Sequence, residues 1–190
     1  MKKTMILITF ILFHTGLFAQ NWKADKVHSH LTFTITHLAV SDVDGKFKEF
    51  NATITAEKSD FSDAIFDFTA NASSVNTDDD QRDGHLKSPE FFDVAKYPNI
   101  SFKSTATKKT GNNKFQVKGN LTLHGVTRPA AFDLVYRGTV INPMTKTLTA
   151  GFVATGIIKR SDFAFGSKYG TPMLGDEVTF KASGEFSKVK

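Results

Sequence analysis

His28 and His30 stand two residues apart, the spacing that in a β-strand sends both rings to one face, as a pair of metal ligands requires. A third ligand would have to come from His37, His85, His124 or an acid, and no spacing selects one, so the sequence predicts no metal. Asp78, Asp79, Asp80 and Asp83 look like a calcium loop until they are counted. An EF-hand needs Gly at its sixth position and an acid at its twelfth, and here those are Asp83 and Pro89. The acid run suits a helix N-terminus instead, where the dipole favours negative charge. Ser29, flanked by His28 and His30, is the nearest approach to a nucleophile beside a base. Adjacent strand residues face opposite sides, however, and no G-x-S-x-G turn surrounds it. No catalytic residue is predicted, and the chain reads as a binding protein rather than an enzyme.

The elements that would hold these side chains are strands. Leu31, Phe33 and Ile35 alternate with His30, Thr32 and Thr34, and Phe66 and Phe68 alternate with Asp67 and Thr69, the period of a half-buried strand. The pattern predicts eight strands, at 28–38, 47–57, 64–72, 99–107, 114–124, 130–140, 147–158 and 176–188. Short gaps rich in turn residues, such as 42–45 and 125–129, make successive strands antiparallel neighbours. Residues 73–98 read as a helical excursion of one or two short turns between the third and fourth strands, and 159–175 as a long irregular loop. The fold class expected is all-β, an eight-stranded antiparallel barrel whose closure leaves no open edge.

Closure turns one stripe of every strand inward. The predicted inner wall is Phe33, Ile35, Ala52, Ile54, Phe66, Phe68, Phe102, Phe115, Val117, Leu121, Phe132, Phe152, Ala154 and Phe180, and these are the candidate lipid-binding residues. Small residues at Gly119, Gly156 and Gly184 stand beside large rings, which is expected to leave space. A barrel of this size either fills its interior or encloses one ligand. With 19 Phe against one Trp and three Tyr, the wall offers few polar partners, so the expected guest is apolar. A filled barrel serving as a structural or protein-interaction module is the alternative.

Lys2 and Lys3, the apolar run 5–13 and the small-residue step at Ala19 predict a signal peptide over 1–19, with 20–190 as one exported, soluble domain of the periplasm or outside medium. Removing the two leader lysines lowers the formal charge from +5 to about +3, too small and too scattered an excess for nucleic-acid binding. It suffices for transient contact with an anionic membrane surface. The absence of cysteine excludes disulfides, thiolate metal sites and an N-terminal lipid anchor.

Several motifs together resemble a known family. Trp22, Asp25, His28, Ser29, Phe33, His37 and Gly45 open the chain; Ser74 to Thr77, Arg82 to Ser88 and Tyr97 to Phe102 follow; then come Gly119 to Pro129 and Arg160 to Phe163. In this order they are similar to the YceI-like family of periplasmic polyisoprenoid-binding proteins. The resemblance implies a lipocalin-like barrel holding a polyisoprenoid, an isoprenoid quinone or another lipid chain in place of a cofactor, and often a homodimer. Ala164 departs from the family, which commonly has Gly there. Arg82, Asp83 and His85 are expected to form a buried polar cluster fixing the helical excursion.

Overall fold

The structure is a computed structural model that describes residues 19–189; the predicted leader, through residue 18, lies outside the described residues. Eleven strands and one helix follow in chain order: β1 (Gln20–Ala24), β2 (His30–His37), β3 (Ser41–Phe47), β4 (Phe50–Ala56), β5 (Ile65–Asn71), β6 (Val75–Asn76), α1 (Asp80–Lys87), β7 (Asn99–Gly111), β8 (Lys114–Leu123), β9 (Val126–Ile141), β10 (Leu148–Lys159) and β11 (Leu174–Lys188). They occupy eight antiparallel lanes, because β1 with β2, β3 with β4, and β5 with β6 each continue one another across an irregular step. β11 closes the ring, pairing with β10 on one side and with β1 and β2 on the other, from Lys188 opposite Trp22 to Leu174 opposite His37. The result is a closed eight-stranded barrel, as the alternation predicts.

Several boundaries differ from the sequence reading: β9 takes in 126–129, read as part of a turn, β7 runs on to Gly111, and three further differences have a local reason. The first lane starts at Gln20, and Asn21 and Trp22 pair with Thr55 and Ile54 although residues 25–29 interrupt the pattern. The first hairpin turns at 38–40 rather than 42–45. Asp42 and Asp44 sit inside β3, accepting from the Thr36 and Thr34 hydroxyls at 2.9 and 2.6 Å, and Gly45 lies under the ring of Phe33. Asp and Gly are there for cross-strand pairing, and Leu38 and Ala39 take the left-handed turn positions. The excursion holds one helix, α1, whose N-cap Asp79 accepts from the Arg82 N–H at 2.9 Å. No second helical turn follows; 89–97 is a series of turns. Among the described residues no helix is long and apolar enough to cross a membrane.

Candidate functional site

The barrel is hollow along its middle. A cavity of about 390 Å³ runs inside it, within the ~300–1,000 Å³ usual for ligand pockets. Phe33, Ile35, Ala52, Phe66, Phe68, Phe102, Val117, Leu121, Phe132, Phe152, Ala154 and Phe180 all line it, as their phase in the strands requires. Phe66, Phe68, Ala154 and Phe180 remain only partly buried although they point inward, which is what an unfilled lumen does to its wall. Ile54 and Phe115 are inward too, but the cavity does not reach them, and both are fully packed below its floor.

The wall stays open because its rings lie flat. Phe132 is opposite Gly156 and Phe33 opposite Gly45, and a methyl group on either glycine would collide with the facing ring. Phe102 rests in the same way against Gly119. Gly45, Gly119 and Gly156 therefore do not leave holes beside the rings; they are seats that draw the rings out of the lumen, whereas Gly184 makes room for the Ser29 side chain.

Aromatic rings pack at both ends. At one end Phe61 forms a plug, with its ring 5.3 Å from Trp22, 5.1 Å from Tyr136 and 5.0 Å from Phe152. Phe61 has φ +59°, a left-handed conformation costing roughly 1–2 kcal/mol. Burying its ring returns up to about 3 kcal/mol, so the packing wins. At the other end Phe91, Phe92 and Phe165 close over the lumen, Phe92 and Phe165 with ring centres 4.6 Å apart.

Polar side chains hold this cap in place. Arg160, only 5% exposed, donates to five backbone carbonyls, those of Phe165, Gly166, Tyr169, Leu174 and Gly175, at 2.5 to 3.1 Å. A guanidinium has five N–H groups, and here each direction is used to shape the 164–175 loop. Glu90 ties that loop to the segment after α1, accepting from Lys168 at 2.5 Å and from His85 and the Tyr169 hydroxyl at 3.0 Å. These three donors bring its pKa down to about 2, Lys168 foremost.

Arg82, Asp83 and His85 do not form one cluster. Asp83 is buried and accepts from the Thr77 N–H at 2.7 Å, the Thr77 hydroxyl at 2.6 Å and the Asn76 amide at 3.2 Å. Burial pushes its pKa up, but the bonds from Thr77 and Asn76 outweigh it, so the net shift is downward. Neutral donors thus replace the cation expected as its partner. Arg82 also converges on Thr77, donating to its hydroxyl and carbonyl at 2.8 Å, while His85 turns away to Glu90.

The H-x-H pair is separated as well. His28 lies in the bend before β2, not in the strand, and its Nδ1 is 2.9 Å from Asp25. That carboxylate raises the His28 pKa. Asp25, His28 and Glu185 offer ligand atoms within 4.8 Å of one another, a group of one exposed and two half-buried residues that does not include His30. The Ser29 hydroxyl bonds to the Glu185 carbonyl at 3.5 Å and pairs with neither neighbouring histidine. The roles of Phe61, Arg160 and Glu90 escaped the sequence reading, since each sits in a loop where periodicity carries no signal. Arg160 was singled out only through its motif.

Comparison with known proteins agrees with this architecture. The family model described as "YceI-like domain" matches residues 22–186. UPF0312 protein SAB2563 of Staphylococcus aureus is 39% identical over 171 residues, spanning 88% of this chain and 97% of that protein. The YCEI protein of Campylobacter jejuni superimposes with a TM-score of 0.74 at 30% identity, covering 98% of this chain and 100% of the other. BcnA of Burkholderia cenocepacia gives 0.76 at 23% identity over 86% and 98% of the two chains. A polyisoprenoid binding domain from Saccharophagus degradans shares the fold at 0.65 and 15% identity, over 89% and 98%.

Proposed function

This chain belongs to the YceI-like family, and from that premise we propose that it is an exported carrier holding one long apolar lipid chain, a polyisoprenoid or isoprenoid quinone, inside its barrel. The observation that carries the reading is the apolar lumen of about 390 Å³, walled by phenylalanine rings and with aromatic side chains packed at both ends. Each buried methylene contributes ~0.8 kcal/mol, so a chain binds tightly with little polar recognition and selection among chains is loose. Fatty acids and their amides fit the same chemistry. The fold likeness to a polyisoprenoid binding domain supports the ligand class. A filled barrel acting only as an interaction module would lack this lumen. Catalysis is not part of the proposal, since Ser29 has no histidine partner. Pickup and delivery by brief contact with a membrane surface, and a homodimer, complete the reading.

Mass spectrometry of organic extracts from gently purified protein tests it. One lipid per chain is the expected result. A protein that yields none, and that takes up no alkyl probe afterwards, contradicts it.

A further inference from the structure

Phe61 stoppers one end of the lumen, and at the aromatic-capped end Arg82 and His85 are already committed to Thr77 and Glu90, while His37 stands exposed at the margin. The head of a bound lipid has a second place to go. The wall has one interruption that suits it, between the first two lanes. Registered pairing stops at Lys23 opposite Thr53 and resumes at Leu31 opposite Phe47, and seven residues on the first lane face five on the second. Residues 25–29 leave the sheet there, with Val27 76% exposed. The lumen reaches this seam, because Ala24, Ser29, Phe50 and Ala52 on its two sides all line the cavity.

Outside the seam lies a second depression, of about 250 Å³, and Phe50 borders both. Lys26 and Lys48 stand on it, from opposite sides of the interruption, together with the amides of Asn51 and Asn99. Both lysines are exposed, and among the described residues neither is paired with a carboxylate, unlike Lys46, Lys103, Lys109 and Lys168. The one acid present, Glu49, already accepts from the Asn71 amide at 2.9 Å. The apolar lumen thus comes within one residue, Phe50, of two unpaired ammonium groups at a break in the wall, with the Glu49 carboxylate beside them.

We infer that the carried lipid has an anionic head, held at this seam between Lys26 and Lys48, with its chain entering the lumen past Phe50. The inference rests on the carrier reading and narrows it, because an isoprenoid quinone or a fatty amide carries no anionic head; it adds the chemistry of the head and the place where it sits. A carboxylate and a phosphate share that chemistry, and either accepts charge-assisted hydrogen bonds from the lysines.

Affinity measured for hexadecanol, hexadecanoate and hexadecyl phosphate at low salt tests it on the whole protein. The anionic probes are expected to bind roughly tenfold or more tightly than the neutral one, and the advantage to vanish in the double variant Lys26→Gln, Lys48→Gln and at high salt. A larger effect for the phosphate identifies a phosphorylated lipid, and equal effects a fatty acid. If all three probes bind alike, or if the advantage survives the double variant and is lost in Arg82→Gln, the seam is not the head site while the carrier reading stands. If no probe binds, both fail.

Discussion

Single residues in this protein mostly stabilise the coverings of the lumen. Ala164 ends the 3-10 turn Arg160–Phe163 at φ 52°, ψ 27°, a left-handed position that costs an L-residue about 1 kcal/mol and costs glycine nothing sterically. The departure from the family's glycine therefore keeps the turn and strains it. Ala164→Gly is expected to raise Tm by about 2–4 °C, less whatever the added freedom of the unfolded chain removes, as calorimetry would read. Glu90 makes a pH prediction. Its pKa is lowered, so its stabilising effect is complete above the ordinary value of 4.5 and is lost as pH falls toward about 2. Below pH 5 the difference in Tm between wild type and Glu90→Gln should shrink, between 4.5 and about 2. A difference that grows on acidification would contradict the assignment. At the Asp25, His28 and Glu185 group, chelator treatment is expected to leave Tm unchanged, because protein hydrogen bonds already occupy Asp25 and His28. A large fall on chelation would make that group a structural metal site.

At the scale of elements, the strands were legible and their junctions were not. Alternation located every lane and the inward phase of Phe33, Phe102, Phe132 and Phe152, because a period of two depends only on one face meeting water. Turn chemistry misled where glycine and aspartate served the sheet itself: Gly45 seats a ring and Asp42 and Asp44 take hydroxyl bonds from the facing strand. The same ambiguity hid the function of Gly156, which looks in sequence like a gap. It predicts a sharp effect. Gly156→Ala forces the Phe132 ring off its seat and into the lumen, while Ala131 carbonyl oxygen, 3.3 Å away, leaves the new methyl little room to shift. Affinity for an alkyl probe should drop at least tenfold, with a stability loss of about 1–3 kcal/mol. Unchanged affinity, measured by titration calorimetry, would mean that the rings do not define the lumen.

For the whole molecule, closure is what makes a binding protein out of a phenylalanine-rich sheet. Eight lanes close into a ring, the Phe61 plug and the Phe92 and Phe165 cap pack at its ends, and the rings keep about 390 Å³ between them free. Sequence could not choose between a hollow and a filled barrel, because the choice depends on rotamers across neighbouring strands rather than on residue type. Ala154 decides it most directly. It faces the lumen between Leu134 and Ala182, where a chain would run and where a larger side chain meets space rather than packed atoms. Native mass spectrometry of Ala154→Phe beside the wild type, with Tm recorded on the lipid-free forms, is the measurement. The hollow carrier predicts that the variant loses its one bound lipid while the lipid-free Tm stays within a few degrees. Full lipid occupancy in the variant, or a loss of about 1–3 kcal/mol of stability with no lipid bound to either protein, would contradict it.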